Sequence, residues 1–123
     1  MKEDFVTYDL AVKLKEKGFN VECHAYYEPL KHCLNLSRVL QTNSLTENYN
    51  CITAPTISQV LKWLRENKKL HVSIMTFMFR AGWCYEVVRL GENPKLVAAH
   101  RNSYNTYEKA AIAGVNYCLE NLI

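Results

Sequence analysis

Apolar positions along the chain follow two periods, and the alternation between them predicts its elements. Residues 8–17 put Leu10, Ala11 and Leu14 on one side and Lys13 and Lys17 on the other, the spacing of a short helix. Thr7 stands where an N-cap belongs, Asp9 lies in the first turn, and Gly18 is placed to end the helix in a left-handed conformation. Phe5 and Phe19 lie just outside the two ends, positioned to clamp them to a core. Residues 21–27 change to period two. Val21, Cys23, Ala25 and Tyr27 share one face and Glu22, His24 and Tyr26 the other, which predicts a strand ended by Glu28-Pro29.

The clearest pattern spans residues 54–90. Thr56 with Gln59 makes a Thr-x-x-Gln capping box after Pro55. Ile57, Val60, Leu61 and Leu64 then fall at i, i+3, i+4 and i+7, the apolar face of a helix that should end near Lys68. Residues 71–79 and 83–90 predict two strands joined about Arg80-Ala81-Gly82, where glycine supplies a positive φ. Val72, Ile74, Met75, Phe77, Met78 and Phe79 make the first of them a strand covered on both faces or central in its sheet. Residues 91–94 form a turn, and 95–100 a third strand of the meander. Thr106 caps a last helix with Glu108 in its first turn and a stripe of Ala111, Ile112, Val115, Cys118, Leu119 and Leu122. Gly114 interrupts that stripe at a cost of about 1 kcal/mol relative to alanine, which points to close packing on the sheet.

Residues 30–53 carry no clear period. KHCLNLSRVLQ reads as a short helix or a strand, with Leu34, Leu36, Val39 and Leu40 partly buried. The stretch 41–50 has the composition of an exposed loop. The order α-β-(insertion)-α-β-β-β-α predicts an α+β fold: one antiparallel sheet of three to four strands packed with about three helices. It also predicts a single domain over 1–123 with an irregular polar insertion at about 30–53.

Three segments also carry a likeness: DFVTYDLAVKLKEKGF, APTISQVLKWLRE and TYEKAAIAGVNYCLENLI. Together they resemble a family of small uncharacterised proteins of gut bacteria and their phages or mobile elements. The resemblance implies one cytoplasmic α+β domain and a mobile-element setting, and brings no activity or site residues with it.

Composition narrows the class. An apolar share of 49% and a charged share of 22% in 123 residues describe an ordinary globular domain. No apolar run reaches the roughly 18 to 20 residues of a membrane span, and MKEDFVTYDL lacks the apolar core of a secretory signal. Cytoplasmic residence follows as the expectation. The five cysteines are odd in number and lack CxxC spacing, so they read as buried small hydrophobes or free thiols. The net charge of +3 is modest.

Candidate chemistry is sparse. Cys23-His24 and His32-Cys33 carry zinc-type ligands, but on a strand Cys23 and His24 point to opposite faces, so each pair offers one ligand and the rest would have to come from His71, Cys51 or Cys84. Cys33 or Cys84 beside a histidine would be needed for nucleophilic catalysis, and no local motif supports it. Neither a phosphate-binding loop nor a hydrolase elbow is present. The chain is therefore read as a non-enzymatic binding domain with no cofactor or metal assigned. Protein is the expected partner, including a second copy, because eight tyrosines are a generous supply of interface residues. Trp83 and Tyr85 on the hairpin are candidates for that surface. The alternative partner is nucleic acid. Lys62, Arg65 and Lys69 recur at i, i+3 and i+7 of the middle helix, with Lys68 and Trp63 beside them and Arg80 and Arg89 as extensions.

Overall fold

Thr7 opens the first helix as expected: its hydroxyl accepts from the Leu10 amide at 3.3 Å, and α1 runs Tyr8–Glu16. Gly18, at φ 88°, ends it in the left-handed region. The computed structural model describes residues 4–46, 49–76 and 81–123, which divide into two compact units, Met1–Thr56 and Ile57–Ile123.

In the first unit β1 (Cys23–Tyr27) pairs antiparallel with β2 (Leu34–Gln41) on one side and β3 (Ile52–Thr53) on the other. The predicted alternation holds, with Cys23, Ala25 and Tyr27 buried and His24 exposed. α1 packs beside β3, and the Tyr8 ring meets Tyr27 edge-to-face at 5.6 Å. The Tyr27 hydroxyl donates to the Val6 carbonyl. Val6, Leu10, Ala11, Leu14, Phe19 and Ala25 make this unit's core. Phe5 forms an antiparallel bridge with Thr56, and the Val6 amide donates to Pro55 O at 3.0 Å.

The stretch expected as an exposed loop at 41–50 is ordered differently. It holds a one-turn helix, α2 (Asn43–Thr46), in which Asn43 and Thr46 are buried. Asn43 uses both ends of its amide: Nδ2 donates to Phe19 O at 2.6 Å and Oδ1 accepts from the Thr53 amide at 3.0 Å. Polar composition marks a loop only while its polar groups face water, and here one of them replaces a missing backbone partner inside.

In the second unit α3 runs Ile57–Asn67 and buries the predicted Ile57, Val60, Leu61 and Leu64. A meander of β4 (Leu70–Thr76), β5 (Trp83–Arg89) and β6 (Lys95–Tyr104) follows, antiparallel throughout. The third strand is longer than the six residues expected, because its far end pairs Tyr104 with Trp83. Phe77, Met78, Phe79 and Arg80, assigned to the first strand and its turn, lie outside the described residues. α4 (Tyr107–Tyr117), capped by the Thr106 hydroxyl at 3.1 Å from the Lys109 amide, continues into a π-helical turn, Cys118–Leu122. Ala110, Ala111, Val115, Cys118 and Leu119 are buried, while Ile112 and Leu122 of the predicted stripe are only half-buried. A Cβ added at Gly114 would stand 2.6 Å from Val72 Cγ1 and 3.2 Å from Tyr85 Cδ2, so helix and sheet touch through the missing side chain.

The α+β class therefore holds, with antiparallel strands. They form two three-stranded sheets among the described residues rather than one. β1 takes both its neighbours from the segment read as an irregular insertion.

Candidate protein-interaction surface

The residues singled out on the middle helix and hairpin do not form one surface. Trp63 and Tyr85 are buried, at 6% and 3% exposure. Trp63 follows Val60 by three positions and so borders the apolar stripe, and Tyr85 lies under α4 at Gly114. Trp83 is half-buried, edge-to-face with Tyr107 at 5.6 Å. Lys62 and Arg65 are exposed on α3, but the helix ends at Asn67, and Lys69 sits beyond it at φ 56°. The i+7 step therefore fails, and the basic ridge reduces to Lys62 and Arg65. Lys68 turns back to place its ammonium 5.5 Å from the Trp63 ring centroid. Arg80 lies outside the described residues.

Among the described residues the cysteines and histidines are also dispersed. Cys23 is buried and donates to Val21 O at 3.2 Å, while His24 faces solvent on the opposite side of β1. His32, in the left-handed region at φ 51°, stacks on Tyr8 at 3.7 Å, which fastens the β1–β2 turn to α1. Cys33 is exposed and its thiol points at Lys31 O, 3.6 Å away. Among the described residues no three Cys, His, Asp or Glu side chains gather in a metal-binding group. Burial pushes the Cys23 and Cys118 thiols up to about 11 and raises Cys84 as well. Such thiols stay protonated at neutral pH, the reverse of an activated nucleophile.

What stands out instead is an arrangement at β2 that the sequence did not announce. Among the described residues β2 is an edge strand of its sheet, and its burial is inverted. Leu34 and Leu36 are 41% and 73% exposed, while the polar Asn35, Ser37 and Gln41 between and beyond them are half-buried. The register explains this. Leu34 stands opposite Tyr27 and Leu36 opposite Ala25, so both leucines lie on the sheet face that β1 turns to the core. That face is covered over β1 and open over β2. The polar residues line the other face, where Tyr26, Ser37, Gln41, Thr46, Tyr49 and Cys51 surround an open concavity. The register shifts between Cys23 and Ala25, and residues 37–40 bulge from the ladder with Ser37 Oγ donating to Val39 O at 2.7 Å. The bulge leaves Val39 68% and Leu40 38% exposed. These leucines and Val39 were expected to be partly buried. An edge strand has a neighbour on one side only, and strand position is invisible to local periodicity.

The backbone edge is open in the same place. The Glu28 amide donates to Cys33 O at 3.2 Å. Hydrogen-bonded and non-hydrogen-bonded pairs alternate along an antiparallel ladder, so the Tyr26–Asn35 pair is bonded and the peptide groups of Leu34 and Leu36 point away from β1.

Comparison with protein-family models, with curated proteins and with solved structures returns no match. Among the described residues no helix is long and apolar enough to cross a membrane.

Proposed function

We propose that this chain is a non-enzymatic binding domain of the cytoplasm that meets a protein partner through the leucine face and open edge of β2. One observation carries this: apolar side chains on the core-facing side of the sheet continue past the elements that cover it. Among the described residues, the exposed large hydrophobics Leu30, Leu34, Leu36, Val39, Leu40, Leu45 and Tyr49 all belong to the segment from 30 to 49, against Leu90, Leu96 and Tyr107 elsewhere. Exposed apolar residues concentrated in this way mark interaction sites, whereas scattered ones need no explanation. Free thiols at Cys23, Cys84 and Cys118, all buried, suit a reducing compartment.

The second reading is nucleic-acid binding, favoured only by the exposed pair Lys62 and Arg65. Photo-crosslinking in the cells that carry the gene separates the two. A benzophenone amino acid in place of Leu36 should yield a protein adduct on irradiation, and one in place of Lys62 should yield none. Absence of an adduct at position 36, with a nuclease-sensitive adduct at 62, overturns the proposal. A purified chain that binds DNA or RNA with an affinity falling steeply with salt would count the same way.

A further inference from the structure

We infer that the occupant of the β2 edge is a second copy of this chain, paired β2 to β2 antiparallel about Asn35; this rests on the reading of β2 as the binding surface. The usable edge is short and bounded. His32, at φ 51°, ends extended backbone on one side, and the bulge at residues 37–40 ends it on the other. Between these limits the chain is symmetric about Asn35, with the outward peptide groups of Leu34 and Leu36 on either side.

A twofold axis through Asn35 sets Leu34 of one protomer opposite Leu36 of its partner, and the reverse. The outward N–H and C=O groups of each pair then satisfy one another, as hydrogen-bonded pairs of an antiparallel ladder do. Each N–H finds a carbonyl without any change of backbone. Because Leu34 and Leu36 share a face, the same operation gathers four leucines into one cluster beside the two cores, joining three strands to three. A C2 contact of this kind is self-complementary. No other partner needs to supply a matching edge.

The area sets the strength. Leu34 and Leu36, with flanking Leu30, Val39 and Leu40, are 41%, 73%, 94%, 68% and 38% exposed. At about 100 Å² per leucine-sized side chain they offer roughly 300 Å² of apolar surface per protomer. Interfaces are roughly three-fifths apolar, so the pair would bury about 1,000 Å² in total. That lies at the lower bound for specific contacts, and the expected dimer is weak, dissociating in the tens of micromolar, roughly.

Sedimentation velocity on the purified full chain, from about 5 to about 500 µM, tests this. The expected result is a dimer fraction that rises through the range. Leu36→Lys, at a position exposed in the monomer, should weaken association at least about tenfold while leaving the circular dichroism unchanged. The register has its own test in a Cys33→Ser, Cys51→Ser background. There Asn35→Cys should form a disulfide-linked dimer under oxidised glutathione, and Ser44→Cys should not. A chain monomeric throughout overturns the inference, as does dimerisation unaffected by Leu36→Lys or a persisting dimer that Asn35→Cys fails to link. The photo-crosslink at position 36 keeps the two readings apart. An adduct of twice the chain's mass supports self-pairing. A heterologous adduct beside a monomeric purified protein leaves the binding surface and removes the second copy, and no adduct removes both.

Discussion

Gly114→Ala puts the packing of the second unit to a quantitative test. On helix propensity alone the substitution should stabilise α4 by about 1 kcal/mol, since glycine in a helix interior costs that much. The new Cβ would lie 2.6 Å from Val72 Cγ1 and 3.2 Å from Tyr85 Cδ2 and Cγ, against an ordinary carbon–carbon separation of about 3.5 to 4.0 Å. Neither neighbour can turn out to solvent, as Val72 is 6% and Tyr85 3% exposed. Helix and sheet must separate by several tenths of an ångström, and overpacking of this kind costs about 1 to 3 kcal/mol. The clash outweighs the propensity gain, so the expected net loss is about 1 to 2 kcal/mol. Urea unfolding followed by tryptophan fluorescence reads it. Trp63 and Trp83 are the chain's two tryptophans, and both lie in the second unit, so the signal is local to the perturbed packing. The midpoint should fall with an unchanged slope. In a Val72→Ala background the same substitution should become neutral or stabilising, because the methyl it strikes is gone. A stabilised Gly114→Ala single mutant would refute the close approach. So would equal effects in the two backgrounds.

Further expectations follow from the same features. Asn43→Ala strands Phe19 O and the Thr53 amide in a buried site and should cost the first unit about 2 to 4 kcal/mol, measured by hydrogen exchange of residues in β1 and β3. The Cys23 and Cys118 thiols ionise near 11 in the folded chain and near their ordinary value once unfolded. The unfolded state therefore loses protons first as pH rises, and stability should be level below about pH 8 and fall between about 9 and 11; urea midpoints that stay flat to pH 11 would contradict this. Maleimide labelling under native conditions should modify Cys33 first and Cys51 more slowly, with Cys23, Cys84 and Cys118 protected until denaturant is added. Tyr27→Phe removes the donor to the Val6 carbonyl and should destabilise the first unit by about 1 to 2 kcal/mol in a thermal melt.

The parts of the fold legible in the sequence are those decided locally. Thr7 and Thr106 cap helices because a hydroxyl reaches an amide three residues on. The period-two run at β1 and the stripe of α3 report burial on a single element. Gly114 could be read because nothing but close packing explains a glycine there. What escaped depends on neighbours. Trp63 looked solvated beside Lys62, yet it lies within one step of the stripe and is buried. Asn43 looked like loop because its partners, Phe19 and Thr53, are remote in sequence. Leu34 and Leu36 looked like half-buried residues, and what decides their exposure is that β2, among the described residues, has a strand on one side alone.

The bridge between Phe5 and Thr56 gives the first unit a property that its strand order conceals. Its entry and exit run side by side, a strand spacing of about 5 Å apart, so the chain between them is topologically a closed loop. Such a loop can be spliced into a turn of another protein without spreading the flanks that receive it. The same adjacency tolerates a change of starting point: a short linker across residues 5 and 56, with new ends opened in the exposed turn at residues 29–31, would preserve every strand pairing. A pull applied to the first unit at residues 5 and 56 would load that bridge first and peel it open, rather than shearing the sheet as a whole.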